Sequence, residues 1–228
     1  LLFVLVKIKI LLYREGQKPE MADYPEITLV ITAYNEESVV VDKMLNCKAL
    51  TYPDGKLTIC WITDGSDDGT NELLAGYPEV SVLFQPKRQG KTAALNRGVP
   101  FIKTPLTVFT DANTMLNENA ITEIAKCFAN PKVGCVAGEK RIMQKDTGDA
   151  TAGEGIYWKY ESILKTLDDQ LYSAVGAAGE LFAIRTDLFE GMPTDTLLDD
   201  FILSMRIAQK GFKIAYCKKA YALEEPSI

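Results

Sequence analysis

Apolar residues along this chain fall into short runs separated by polar or acidic loops, and runs of two periodicities alternate. Residues 27–33 (ITLVITA) are β-branched and apolar, as in a strand buried on both faces. The run breaks at Tyr34-Asn35-Glu36-Glu37, and a helical spacing follows through Val40, Met44, Leu45 and Leu50 until Tyr52-Pro53-Asp54-Gly55 ends it. Residues 57–62 read as a second strand, which closes on Asp64-Gly65-Ser66-Asp67-Asp68-Gly69-Thr70 ahead of a short helix. Residues 80–84 make a third strand, 92–99 a helix and 106–109 a fourth strand. Further on, 118–129 reads as a helix, 133–142 as a longer strand, 153–167 as an amphipathic helix carrying Ile156, Trp158, Tyr160, Ile163 and Leu164, and 181–184 as a strand. The last helix opens at Leu197-Leu198-Asp199-Asp200 and runs to Lys210-Gly211, whose glycine suits a C-terminal cap; 212–216 closes the sheet or a small side sheet.

Strands alternating with helices at this spacing predict a doubly wound, mostly parallel, Rossmann-like α/β sheet with a small additional sheet. The polar strand ends then share one edge, and ligands bind there. At that edge stand an acid and an amide spaced i, i+2, Asp111 and Asn113. Two oxygen ligands at this spacing can hold one hard cation, which commonly carries phosphate charge. The same stretch also reads as a strand closed by an Asp cap and an Asn turn.

Composition narrows the chemistry. At 228 residues, 47% hydrophobic and 25% charged, the chain is long enough and apolar enough for one large globular domain. A net charge of −6 argues against a nucleic-acid partner, which would need a dominant basic face. The complete lack of histidine excludes Ser-His-Asp and Cys-His catalysis and every imidazole-ligated zinc site, leaving carboxylates, Lys, Tyr or Cys for proton transfer. Five cysteines without a CxxC pair fit reduced thiols in a cytosolic domain. Residues 1–12 are apolar apart from Lys7 and Lys9, too short a stretch to span a bilayer at roughly 20 residues. They read as the stub of a membrane anchor or an interfacial segment, with a docked edge strand as the alternative, and 13–24 as a polar linker.

Phosphate-binding loops can be tested directly. A dinucleotide site needs GxGxxG after the first strand, and Thr32-Ala33-Tyr34-Asn35-Glu36-Glu37 contains no glycine. Gly90-Lys91-Thr92 matches the end of a P-loop, but the leading glycine position is Gln85. A third solution holds a nucleotide diphosphate with carboxylates and a cation. In it Asp64 accepts from a base N–H, Lys91 places a point charge near the diphosphate, and Asp111 and Asn113 bind Mg²⁺ or Mn²⁺ arriving with the nucleotide.

The ordered segments ITLVITAYNEE (27–37), WITDGSDDGT (61–70), QGKTAALNRG (89–98), FTDANTML (109–116), GAAGELFAIR (176–185) and LDDFILSMRIAQKG (198–211) resemble the motifs of family 2 glycosyltransferases. They are most similar to the membrane-bound synthases of cellulose, chitin, hyaluronan and poly-N-acetylglucosamine. The resemblance covers roughly residues 27–225, and collinear motifs are far more specific than any one alone. It implies a GT-A fold, a nucleotide-sugar donor (a UDP-sugar foremost), a divalent cation, a carbohydrate acceptor and inversion at the anomeric carbon. Carried over by position, Thr32 and Tyr34 line the base and ribose with Glu36 near them, Asp64 contacts the base, Lys91 the nucleotide, and Asp111 the ribose or metal.

The chain departs from the family pattern at two positions. Thr63 occupies the first of a frequent pair of acids, and Asn113 stands where DxD has its second acid. The resemblance further implies residues 1–24 as a membrane-proximal stub and linker, 25–228 as a GT-A catalytic domain that stops before a C-terminal membrane region, and a place on the cytoplasmic side of the cell membrane.

Inverting transfer needs a base on the acceptor hydroxyl, and without histidine a carboxylate must supply it. Asp200 aligns with that base; the bland reading is that Asp199 and Asp200 cap their helix. On the acceptor side, Gly179 and Glu180 fall in the family's acceptor loop, and Trp158 is placed to stack on a sugar or to pack in the core. Two other functions remain open: a sugar-nucleotide or carbohydrate binding module without turnover, motivated by Thr63 and Asn113, and a nucleotidyltransferase, which would carry a glycine-rich basic loop where Tyr34-Asn35-Glu36-Glu37 stands.

Overall fold

The computed structural model describes residues 3–7, 23–142 and 149–224. Apart from a helical segment at 3–7, where Val6 is buried, and residues 23 and 24, the expected stub and linker lie outside the described residues. Segment 3–7 is helical rather than a docked strand. Among the described residues no helix is long and apolar enough to cross a membrane.

The strands are β1 (Ile27–Ala33), β2 (Leu57–Asp64), β3 (Ser81–Gln85), β4 (Leu106–Asp111), β5 (Met115–Leu116), β6 (Val133–Ile142), β7 (Leu181–Arg185) and β8 (Lys213–Glu224). The helices are α1 (Glu37–Lys48), α2 (Thr70–Leu74), α3 (Lys91–Gly98), α4 (Ala120–Cys127), α5 (Asp149–Leu171) and α6 (Asp199–Gln209). One eight-stranded sheet runs in the order β3-β2-β1-β4-β7-β6-β8-β5. β1 pairs in parallel with both β2 and β4, β2 with β3 and β6 with β8, while β7 lies antiparallel between β4 and β6. The side sheet expected from sequence does not stand apart. β5 pairs antiparallel with the end of β8 and so joins the same sheet.

Burial follows the two-faced pattern of β1. Leu29 and Ile31 point into a core with Val40 and Met44 of α1, Leu74 of α2 and Ile121 and Ile124 of α4, while Val30 points into an opposite core with Leu95 of α3 and Leu203 and Ile207 of α6. Alternate side chains of a strand face opposite ways, so an all-apolar strand requires helices on both faces. The second core crosses the change from parallel to antiparallel pairing, where the rings of Phe109 on β4 and Phe182 on β7 stack 4.6 Å apart.

Three helix readings change. Leu45 is exposed on α1, and the buried positions there are Val40, Lys43, Met44 and Cys47. α5 is longer than its apolar spacing indicated; Tyr160 and Ile163 are exposed, Leu164 is half-buried, and the side chain of Ile156 lies outside the described residues. The cap of α6 is Leu198, without a side-chain hydrogen bond, and Asp199 is the first helical residue.

The chain passes from β1 to β2 and β3 on one side and returns with β4 on the other. This is a topological switch point, where the strand ends diverge and leave a crevice. Thr32 and Asp111 are direct cross-strand partners at its mouth.

Candidate active site

The floor of the crevice is made by two loops that satisfy each other. Asn35, in the left-handed region at φ 54°, donates its backbone N–H to Ser66 Oγ (3.1 Å) and its amide to Asp67 Oδ1 (2.7 Å). The free N–H groups at the start of α1 donate across the same gap, Glu36 to Thr70 Oγ1 (2.9 Å) and Glu37 to Asp68 Oδ2 (3.0 Å). The acid run after β2 is thus spent largely on holding the β1–α1 turn. Tyr34 projects from that turn with the Arg88 guanidinium 3.7 Å from its ring centroid.

Asp64 ends β2 almost fully buried and anchors the loop before α3. Its Oδ2 accepts from the backbone N–H groups of Gln89 (2.8 Å) and Gly90 (2.6 Å), and its Oδ1 faces Arg97 Nη1 at 3.4 Å. Gly90 follows at φ 96°, a conformation open to glycine, and turns the chain so that α3 begins at Lys91. Thr63, in the position of the missing acid, is fully buried.

Lys91 is the hub. Its ammonium lies 2.5 Å from Asp111 Oδ1 at the end of β4. A Cβ placed on Gly179 would lie 3.5 Å from both Lys91 Nζ and Asp200 Oδ2, so Gly179 sits between the lysine and the acid of α6. Segments distant in sequence therefore meet within a few ångströms: the start of α3, the end of β4, the loop before β7 and the start of α6.

The electrostatics follow from that crowding. Burial pushes the carboxyls of Asp199 and Asp200 above the ordinary aspartate value, and the charge of each neighbouring acid adds to it: Asp111 for Asp199, and Asp199 for Asp200. Burial also raises Glu36, with Asp111 and Asp68 contributing. Lys91 shows the opposite balance. Desolvation acts against its charge, yet Asp111 and, further off, Asp199 and Asp200 hold the ammonium above its usual value.

The donor set suits a hard cation. Asp111 faces the crevice through Lys91, Ala112 is buried in the core, and Asn113 stands exposed in the turn that follows β4. Asp199 Oδ2 is buried and has no hydrogen-bond partner among the described residues. No group of three or more His, Cys, Asp or Glu side chains converges as a complete cage among the described residues. A site with so few protein oxygens fits a cation that takes its remaining ligands from diphosphate and water.

On the acceptor side Glu180 is engaged rather than open. Its Oε1 lies 2.6 Å from Lys140 Nζ, which also binds Glu224 Oε2 at 2.5 Å and stands 4.7 Å over the Trp158 ring. Trp158 lines a small hollow with Gly138, Lys140, Ser162, Ala178 and Tyr216. Sequence reasoning missed Lys140, Arg97 and Lys43. Arg97, from LNRG, bonds Gln85 Oε1 (2.6 Å) and the carbonyl of Thr63 (3.1 Å) while facing Asp64. Lys43 carried a readable signal, since it lies three residues after Val40 and four before Cys47 on the apolar stripe of α1.

A family model described as "Glycosyltransferase like family 2" matches residues 25–227. The chain belongs to this glycosyltransferase family. A β-monoglucosyldiacylglycerol synthase of Trichormus variabilis is 29% identical over 210 residues, covering 85% of this chain and 43% of the relative. A poly-β-1,6-N-acetyl-D-glucosamine synthase of Staphylococcus aureus is 27% identical over 219 residues, covering 90% of this chain and 51% of the relative. The chain thus spans about half the length of the curated relatives it matches. A mannosyltransferase from Pyrobaculum calidifontis, solved in complex with GDP-Man and Mn²⁺, superposes with a TM-score of 0.74 at 22% identity, covering 98% of this chain and 65% of the other. At that identity the likeness establishes the fold, which is the GT-A type of this glycosyltransferase family.

Proposed function

We propose that this chain is the catalytic domain of an inverting glycosyltransferase, moving a sugar from a nucleotide-diphosphate donor, a UDP-sugar foremost, to a carbohydrate acceptor in polysaccharide synthesis. The observation that carries the reading is the convergence of Lys91, Asp111, Gly179 and Asp200 at the switch point of the sheet. In this reading Thr32, Tyr34 and Asp64 border the nucleoside, with Glu36 beside them, and Asp64 uses a remaining lone pair on Oδ1 for a base N–H. Asp111 and Asn113 would hold Mg²⁺ or Mn²⁺, which when bound offsets the charge of the diphosphate. The relation to a protein solved with GDP-Man and Mn²⁺ supports a nucleotide sugar and a divalent cation.

Asp200 takes the proton of the acceptor hydroxyl as that oxygen bonds to the anomeric carbon. The bond from the same carbon to the diphosphate breaks on the opposite face, and the electron pair leaves with the diphosphate. Lys91 meets the developing charge on the leaving group. A carboxyl raised by burial is a stronger base once ionised, which suits Asp200 to this work. Glu180 and Trp158 border the acceptor through Lys140, and Gly179 leaves room for a sugar near the backbone. The domain acts at the cytoplasmic face of a cell membrane, attached through segments other than the described ones.

The test is calorimetry of UDP and GDP with and without Mn²⁺, followed by transfer assays with the full-length protein. The acceptors would be oligosaccharides and, in view of the glucosyldiacylglycerol synthase relative, diacylglycerol lipids. Metal-dependent nucleotide binding and product formation are expected, with loss of turnover in Asp200→Asn. Metal-independent binding that survives Asp111→Ala contradicts the cation site. Binding without turnover favours a binding module instead.

A further inference from the structure

Lys43 on α1 is completely buried, at 0% exposure. Long cationic side chains ordinarily extend their charge to water, and burying an ammonium without a paired carboxylate lowers stability. Among the described residues no carboxylate forms an ion pair with Lys43. Its Nζ donates instead to the backbone carbonyl of Thr114 (2.5 Å) and to Thr110 Oγ1 (3.3 Å), the residues on either side of Asp111-Ala112-Asn113.

These contacts extend into both halves of the site. The Thr114 hydroxyl donates to the carbonyl of Asp111 (3.1 Å) and closes the turn. The Thr110 hydroxyl accepts from Lys43 and donates to the carbonyl of Glu180 (2.9 Å), next to Gly179 in the loop before β7. One buried ammonium is therefore bonded to the turn that presents Asp111 and Asn113, and through one hydroxyl to the loop beside Asp200. It also places positive charge behind a crevice lined by Glu36, Asp111, Asp199 and Asp200.

We propose that Lys43 is a positioning residue of the donor site, its buried ammonium fixing the turn that carries Asp111 and Asn113 and coupling that turn to the Gly179-Glu180 loop. The proposal rests on the donor-site reading given above. A lysine kept only for packing could be replaced by methionine, an unbranched apolar side chain of similar length, without consequence for binding. A positioning lysine could not, because the turn would lose the donor that spans it.

The experiment compares UDP binding in the presence of Mn²⁺ and denaturant midpoints for wild type, Lys43→Met, Thr110→Val and the core control Ile124→Val. Lys43→Met is expected to keep or raise the midpoint while weakening UDP–Mn²⁺ binding by ~10–100-fold, the range seen when the partners that orient metal ligands are removed. Thr110→Val should weaken binding in the same direction. Ile124→Val should lower the midpoint and leave binding intact, separating position from stability. Wild-type affinity in Lys43→Met overturns the proposal, and should that variant fail to fold, wild-type affinity in Thr110→Val does so. Absence of nucleotide binding by the wild type overturns the donor-site reading and the proposal with it; binding that Lys43→Met leaves unchanged overturns the proposal alone.

Discussion

The Lys91 ammonium lies 2.5 Å from Asp111 Oδ1, joining the first residue of α3 to the last residue of β4 across the mouth of the crevice. In the proposed function this pair lies where the donor's diphosphate and its cation would meet. Replacing Lys91 with methionine is expected to weaken UDP binding by about 10- to 100-fold, the usual scale of a lost charge-assisted hydrogen bond. Asp111→Asn should abolish the Mn²⁺ dependence of whatever binding remains. Isothermal calorimetry with and without Mn²⁺ measures both.

Asp200→Asn keeps the size of the side chain and removes its basicity. Turnover should fall by roughly 10²–10⁴-fold with donor affinity little changed. Because burial raises the Asp200 carboxyl above the ordinary value of 3.8, the acid limb of the rate profile should lie above that value, with activity lost as pH falls through the raised pKa. A pH series of kcat in the wild type locates the limb, and a limb at or below 3.8 contradicts the assignment.

Asp199 should show the opposite trade between stability and function. Its folded-state pKa is raised, so the native state binds more protons than the unfolded chain between the ordinary value and the raised one, and stability falls as pH rises through that window. Asp199→Asn is therefore expected to raise the denaturant midpoint at pH 7. The two proteins should converge below pH 3.8, where both states of the wild type are protonated.

Lys43 is expected to mark the alkaline side. Burial lowers its pKa to about 8, with Cys47 on the same helix and Asp111 on β4 acting in the other direction. Between about 8 and 10.5 the unfolded chain holds the proton and the native state does not, so this contribution to stability grows with pH and is lost as pH falls through about 8. The Cys47 thiol, pushed up to about 11 by burial, titrates against it, so the comparison must be with Lys43→Met. The stability difference between the two should shift by roughly 3 kcal/mol between pH 7 and pH 10.5. An unchanged difference in urea melts at the two pH values refutes the depressed pKa.

Phe182 tests the seam of the sheet. It is buried to 1% exposure and stacks on Phe109 where parallel pairing gives way to antiparallel. Phe182→Ala should cost about 3–5 kcal/mol in denaturant melts, since the rigid strands around it cannot close the cavity.

Which parts could be read in advance follows from the range of the interactions. The apolar run 27–33 and the helical spacing from Val40 to Met44 are local patterns, and β1 and α1 stand where they indicated. The polar ends of β1, β2 and β4 do share one edge, because strands paired in parallel on both sides of β1 must end together. Local pattern misled where packing rather than periodicity decided burial. Leu45, Tyr160 and Ile163 are apolar yet exposed, whereas the buried Lys43 does stand on the apolar stripe of α1.

The amino-acid sequence by itself determined the class of the fold, the family and the kind of chemistry: alternating strands and helices, collinear motifs, and no histidine to act as a base. Only the tertiary structure decided which donors each acid already holds. Asp64 is tied to the Gln89 and Gly90 amides, and Asp67 and Asp68 brace the β1–α1 turn. Asp199 keeps an oxygen without a hydrogen-bond partner among the described residues. The physical reason is that a carboxylate's role depends on which donors reach it, and here most of those donors come from residues 20 or more positions away, as Lys91 does for Asp111, with Thr70 a local donor to Asp68.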